Sequence, residues 1–359
     1  MRPANFFVAI FALLGLASPA SAHERWVRHA LKSPFDHSLF ASVNTTNVGT
    51  LVGVLVVAAL LFWWSGRLRA RHPEHVSTWK ARLLPWAPFL LRVTFGLGLV
   101  LVAWQDRFVA PDLWANHSLQ GAILVKAQGV LGVLLVLGLL TRFASLAFLG
   151  LFAWATLLRP FAPFDGQPIT MIEVINYLEV VGIAIYLAVV GAGAFSLDRL
   201  FLGEDARKVE ALTRARAVGI MRILLGATLM ILGVQKFLIP ELPMGVVQNY
   251  ADSIYTPIAR LTGISPEGYV FAAVVVETTV GVLVLAGLFV RPLMVVLGGL
   301  FTTTLFIFGE DLTPHLPLFG MVFAFLIEGA GSYRLDSLAL PKGPALEGPA
   351  HGRVLEKTA

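Results

Sequence analysis

The residue most able to do chemistry in this chain is a carboxylate placed where a carboxylate is expensive. Glu277 lies inside the apolar run VVVETTVGVLVLAGLFVRP, residues 274–292, which reads as a membrane-spanning helix. It enters from the outer side by roughly ten residues, ~15 Å at a helical rise of 1.5 Å per residue. A charge at that depth needs a partner and is often functional. The preceding apolar run carries Arg222, Gly226, Gly233 and Lys236, which fall within about 40° of one another at ~100° per residue. They make one stripe of small residues with a cation at each end. Lys236, at the outer end, is the nearest partner for Glu277, because its long stem reaches inward as well as outward. Two readings stand side by side: a buried ion pair fixing helix register, or a site that accepts a proton or holds a quinone headgroup. Arg222 and Arg291 read as anchors at the cytoplasmic end.

Other charged residues form weaker constellations. Lys126, Glu173 and Glu179 lie in apolar stretches of the first half. A Lys126–Glu173 or Lys126–Glu179 pair is the structural expectation, and a second proton-carrying site the functional one. Glu310, Asp311 and His315 gather before the last apolar run, where Pro314 and Pro317 point to a helix start rather than a metal site. Val247, Tyr250, Ile254, Ile258 and Leu261 recur at helical spacing, as in an interfacial helix or a lid over Glu277. His23, with His29 and His37, forms a polar arm that reaches a copper site only if the mature chain begins at His23.

These residues need a membrane scaffold, and the composition supplies one. The chain is 57% hydrophobic and 14% charged, with a mean hydropathy of +0.77. That excludes an ordinary soluble domain. Net charge is +5, but the basic residues cluster in two loops, as topology demands and nucleic-acid binding does not. The absence of cysteine removes disulfides, Cys-ligated iron–sulfur clusters and covalent c-type haem. No haem b ligand sits clearly within a span, and no flavin motif is evident.

The expected organisation is all-α and polytopic, with about nine transmembrane helices. Residues 1–22 read as a signal peptide, residues 23–46 as a periplasmic arm and residues 47–66 as the first span. Residues 67–85 hold Arg67, Arg69, Arg71, Lys80 and Arg82 and read as a cytoplasmic loop. A four-helix unit over 86–200, a linker over 201–215, a second unit over 216–338 and a disordered cytoplasmic tail over 339–359 complete it. This places the protein in a bacterial inner membrane, with the N-terminal arm outside and the tail in the cytoplasm. Later spans are expected near 86–105, 122–140, 143–160, 171–194, 217–239, 268–289, 291–309 and 314–331.

The two units read as copies. Arg92, Gly96 and Gln105 correspond to Arg222, Gly226 and Gln235, and Gln128, Gly132, Gly138 and Arg142 to Glu277, Gly281, Gly287 and Arg291. Residues 191–198, GAGAFSLD, correspond to residues 329–336, GAGSYRLD. Matches in the same order imply duplication. Four crossings per unit make the copies parallel, two four-helix bundles about an axis along the membrane normal. The first copy has Asp106 and Gln128 where the second has Lys236 and Glu277, so the pair belongs to the second alone.

The pattern Arg222, Gly226, Gly233-Val234-Gln235-Lys236-Phe237, then Glu277, Gly281, Leu283, Leu285, Gly287, Leu288 and Arg291 resembles the DoxX family and the related DoxD proteins. The resemblance covers both repeats. It implies a membrane subunit or accessory protein of a quinone-linked redox system, with quinone as cofactor and a redox partner subunit beside the lipid bilayer. Lys236 and Glu277 would then be the catalytic residues, and Lys236, Glu277 and Arg222 the cofactor-binding ones. The alternatives are a proton-coupled small-solute transporter, for which a broken helix at Glu277 would speak, and a non-catalytic membrane scaffold.

Overall fold

The structure is a computed structural model, and it describes residues 82–110, 113–163, 168–169, 171–201, 203, 209–238, 263, 265–308 and 312–335. The signal, arm, first span, interfacial segment, acidic pair Glu310–Asp311 and tail lie outside the described residues. The described chain is helical: α1 (Trp86–Trp104), α2 (Leu119–Leu137), α3 (Thr141–Leu158), α4 (Met171–Ile175), α5 (Leu178–Val190), α6 (Leu197–Phe201), α7 (Ala211–Leu238), α8 (Pro266–Ala286), α9 (Val290–Phe308) and α10 (His315–Glu328). Among the described residues there is no strand, only the bridges Arg107–Trp114 within the α1–α2 loop and Ala115–Phe161 between that loop and the α3–α4 loop.

The helix boundaries have local causes. Ser118 and Ser265 sit in extended backbone and accept the N–H of Gly121 and Gly268, so α2 and α8 begin with side-chain caps. Both helices stop at a glycine in the left-handed region, Gly138 and Gly287, where a side chain would strain the backbone. Asp198 then caps α3 from a distance, its carboxylate accepting the N–H groups of Leu140 at 2.5 Å and Thr141 at 2.8 Å. The span expected over 171–194 is interrupted. Asn176 and Tyr177 form a turn between α4 and α5, and asparagine competes with helical bonding through its own side chain.

Among the described residues, four helices are long and apolar enough to cross a membrane: Trp86–Trp104, Leu119–Leu137, Thr141–Leu158 and Ala211–Val234. Large apolar side chains point outward from α2 and α3, with Leu119 77%, Phe143 63% and Leu157 71% exposed. Such a surface suits lipid rather than water.

Packing is dense inside each half and specific between them. α1 lies against α2, and α7 against α8; α3 lies against α5, and α9 against α10. The halves meet where α10 packs on α1 and α5 packs on α7. Small residues permit these crossings. A Cβ on Gly182 of α5 would lie 3.0 Å from the Met221 Cα of α7, and Gly320 of α10 abuts Thr94 of α1.

Candidate functional site: the α7–α8 crossing

The stripe read from the sequence faces one neighbour along its whole length. Arg222 reaches the Val284 and Leu285 carbonyls of α8, Gly226 abuts Leu285, Gly233 abuts Thr278, and Lys236 meets Glu277. The partner numbers fall as the α7 numbers rise, as an antiparallel hairpin requires. Lys236 Nζ donates to Glu277 Oε2 at 2.5 Å. The side chains are 27% and 15% exposed, respectively, so the pair is shielded but reachable. α8 runs unbroken from Pro266 to Ala286, through Glu277.

The backbone beneath the pair leaves no spare room. A Cβ on Gly281 would sit 2.5 Å from the backbone nitrogen of Met230. Gly281→Val therefore has to push α7 and α8 apart. The expected cost is about 1–3 kcal/mol, read as a lower unfolding midpoint in detergent.

In the first half the corresponding place is closed rather than charged. Gln128 is fully buried. Its Oε1 accepts the N–H of Val109 at 2.8 Å, and its Nε2 donates to the carbonyls of Leu99 and Arg107 at 3.2 and 3.1 Å. Asp106 stays exposed at the surface. A neutral amide that both donates and accepts is suited to stitching a loop to a helix.

Arg222 does not join Lys236 and Glu277. It lies fourteen positions before Lys236 on α7, ~21 Å along the helix at 1.5 Å per residue, and is fully buried. Its Nε donates to Ala330 O at 2.9 Å, Nη1 to Val284 O at 2.6 Å and to Leu285 O, and Nη2 to Ser332 O at 3.1 Å and Tyr333 O at 2.7 Å. A guanidinium has five N–H donors, so none is left for a ligand. Two of these carbonyls belong to the last turn of α8; Val284 O also accepts the Gly287 N–H at 3.0 Å. Arg92 does the same in the first half, donating to Ala192, Leu135, Val136, Ala194 and Phe195. Arg291 donates to Leu326 O and Ile327 O, and Arg142 to Ala188 O.

The expected partners of Lys126 are not its partners. The Glu179 carboxylate, buried on α5, accepts the hydroxyl of Thr228 on α7 at 3.0 Å. Lys126 is exposed and lines a surface cavity with Asp106, Asn116 and His117, and makes no ion pair with Glu173 or Glu179. α5 packs on α7, which carries Glu179 away from α2. His315 is fully buried at the start of α10, its ring edge-on to Phe301 at 6.1 Å. Among the described residues no cluster of three His, Asp or Glu could hold a metal.

One cluster is absent from the sequence reading. Arg214 of α7 donates to Glu328 Oε1 of α10 from Nε at 2.9 Å and Nη2 at 2.5 Å, and to Leu84 O at 2.8 Å. Tyr186 of α5 donates its hydroxyl to the same Oε1 at 2.7 Å. The Arg214 and Glu328 side chains are each 6% exposed. The hint in the sequence is Glu328 at the end of an otherwise apolar run; Arg214 is one of several basic residues at the start of α7.

Apolar helices of spanning length, lipid-suited outer faces and buried charges held by backbone carbonyls define a polytopic integral membrane protein. Residues 217–310 match the DoxX family model, and the matched stretch contains Arg222, Lys236, Glu277 and Arg291. No curated protein and no solved structure matches the chain.

Proposed function

We propose that this protein is a membrane subunit or accessory protein of a quinone-linked redox system, with Lys236 and Glu277 as its quinone-facing residues. The observation that carries the reading is the shielded but reachable ion pair at the outer part of the α7–α8 crossing. A lysine ammonium has three N–H donors, and Glu277 takes one of them, so the group fits a quinone carbonyl oxygen as acceptor. When bound, a quinone would supply the two-electron chemistry that no side chain here can. Lys236 Nζ would donate to a headgroup oxygen and orient it, and Glu277 Oε2 would hold the proton that accompanies reduction. Arg222 has no part in this site, because the backbone uses all its donors.

The same proposal includes the larger architecture: two parallel copies of one four-helix unit after an N-terminal span, about nine crossings, an inner-membrane location with the tail in the cytoplasm, and a redox partner subunit. The matching five-carbonyl cradles of Arg92 and Arg222 support the duplication. The cradles use carbonyls at corresponding positions of the two halves, in the same order around the guanidinium.

The test is extraction of the purified full-length protein and quantification of bound quinone in wild type, Lys236→Met and Glu277→Gln. Wild type should carry quinone, Lys236→Met should lose it and Glu277→Gln should hold less, with the fold checked by circular dichroism. No quinone in wild type, or equal quinone in all three, overturns the site. One observation favours proton-coupled transport instead: the chain breaks at Asn176–Tyr177 beside the buried Glu179 carboxyl. Proton uptake into liposomes that disappears in Glu179→Gln would select that reading, and silence in both assays the scaffold.

A further inference from the structure

The strongest unassigned feature is a cavity of about 490 Å³ where α1 ends and α2 begins, with Ala162 of the α3–α4 loop also in its lining. The lining carries Asp106 on the turn after α1, His117 just before α2 and Lys126 on α2 itself. Lys126 lies ~10 Å along the helix from Leu119 at 1.5 Å per residue. The frame around these three side chains is built without them. The N–H of Ala115 donates to Asp106 O at 3.0 Å, that of Asn116 to Pro160 O at 3.0 Å and that of Ala162 to Trp114 O at 2.8 Å. The Arg107 guanidinium lies 4.0 Å from the centroid of the Trp114 ring. Ser118 Oγ donates to Asn116 Oδ1, and Gly121 abuts Asn116. Asp106 has a left-handed backbone, φ 56°, a conformation that aspartate and asparagine tolerate better than most residues.

The charges are open to a ligand. Lys236 and Glu277 close on each other at 2.5 Å, whereas Asp106 and Lys126 line one cavity and make no ion pair among the described residues. A molecule that engages both needs an anionic and a cationic group of its own. α1 and α2 are both of spanning length, so the place where one ends and the other begins lies at the level of lipid headgroups. Trp104 and Leu119, 88% and 77% exposed, bring lipid to the edge of the cavity, and tryptophan suits that boundary. A headgroup with a phosphate and a primary ammonium has the complementary charges. The Lys126 ammonium and a His117 N–H can donate to phosphate oxygens, and the Asp106 carboxylate can accept from the ligand's ammonium.

We propose that this cavity binds a zwitterionic group made of a phosphate and a primary ammonium, as in phosphatidylethanolamine or its soluble form glycerophosphoethanolamine, with Lys126 and Asp106 as its charged contacts. The site is separate from the α7–α8 crossing and does not depend on the quinone reading. Both side chains are exposed, so Lys126→Gln and Asp106→Asn leave the packed core alone, and asparagine keeps the left-handed turn. The experiment is calorimetric titration of the full-length protein in non-ionic detergent with short-chain phosphatidylethanolamine, phosphatidylcholine and phosphatidylglycerol, and with glycerophosphoethanolamine. Phosphatidylethanolamine should bind more tightly than phosphatidylcholine, whose quaternary ammonium has no N–H to donate, and than phosphatidylglycerol, which has no cation. Lys126→Gln should weaken it about fivefold, the share of one cation near an anionic headgroup. Asp106→Asn should remove its advantage over phosphatidylcholine, and both variants should melt at the wild-type temperature. Binding of glycerophosphoethanolamine as tight as that of phosphatidylethanolamine identifies the soluble form as the ligand, and a clear preference for the lipid identifies the membrane headgroup. Another lipid binding as tightly as phosphatidylethanolamine, or either variant titrating as wild type does, overturns the proposal.

Discussion

Arg222→Met should destabilise the protein by at least about 3 kcal/mol, because hydrogen bonds to a charged donor are each worth about 1.5–3 kcal/mol and buried acceptors left unpaired add their own penalty. The substitution removes five bonds at once. It takes the guanidinium from the Val284 and Leu285 carbonyls of α8 and from three carbonyls of the loop after α10, and of the two on α8 Val284 O keeps the Gly287 N–H. Arg222→Lys should rescue little. Its ammonium is a point donor with three hydrogens, and the carbonyls lie on two separate segments that only a planar fork spans. The measurement is reversible unfolding by titrated denaturing detergent. Arg92→Met should behave alike, since its five carbonyls are disposed in the same way. A loss below about 1 kcal/mol at either position, the size of an ordinary single hydrogen bond, would show that the cradle is geometry without energetic weight.

How much of this could be read from residues alone follows from sequence separation. Lys236 and Glu277 sit on helices joined in a hairpin, so helical spacing on α7 and depth on α8 suffice to bring them together. The stripe of Arg222, Gly226, Gly233 and Lys236 was legible for the same reason: one helix face, one neighbour. The role of Arg222 was only half legible. Spacing places it at the end of the stripe, but periodicity does not reveal that the loop after α10 folds back to present its carbonyls. That loop is visible in the sequence only as the repeated Gly-Ala-Gly stretch.

The contacts between halves were out of reach. Glu179 and Thr228 are 49 positions apart, and Tyr186 and Glu328 are 142 apart. Their helices are apolar all round, so no amphipathic face indicates which neighbour each one chooses. Expecting Lys126 as the partner of Glu179 assumed that the first half closes on itself. Instead α5 packs on α7, at the close approach of Gly182 to Met221. The break before α5 was hidden too, because Asn176 is one polar residue among others, with Glu173 and Glu179 on either side, in an otherwise apolar run.

The contact between halves also carries the second large effect. Glu328→Val should cost about 3–5 kcal/mol, the range for removing one partner of a buried ion pair. It strands the Arg214 guanidinium, 6% exposed, without its carboxylate, and leaves the Tyr186 hydroxyl without its carboxylate acceptor. The other half shows an uncharged arrangement at these places, since Leu84 and Val190 stand there. The triple variant Arg214→Leu, Glu328→Val, Tyr186→Phe should therefore recover most of the loss, because replacing a whole buried ionic group by apolar residues is often neutral. Unfolding in denaturing detergent reads both variants on one scale. If the triple variant is as unstable as Glu328→Val, the cluster is not simply an ion pair offset by its own desolvation. It would then be the polar lock that selects α10 against α1 and α5 against α7, and the halves should separate in crosslinking between cysteines introduced at Thr94 and Gly320.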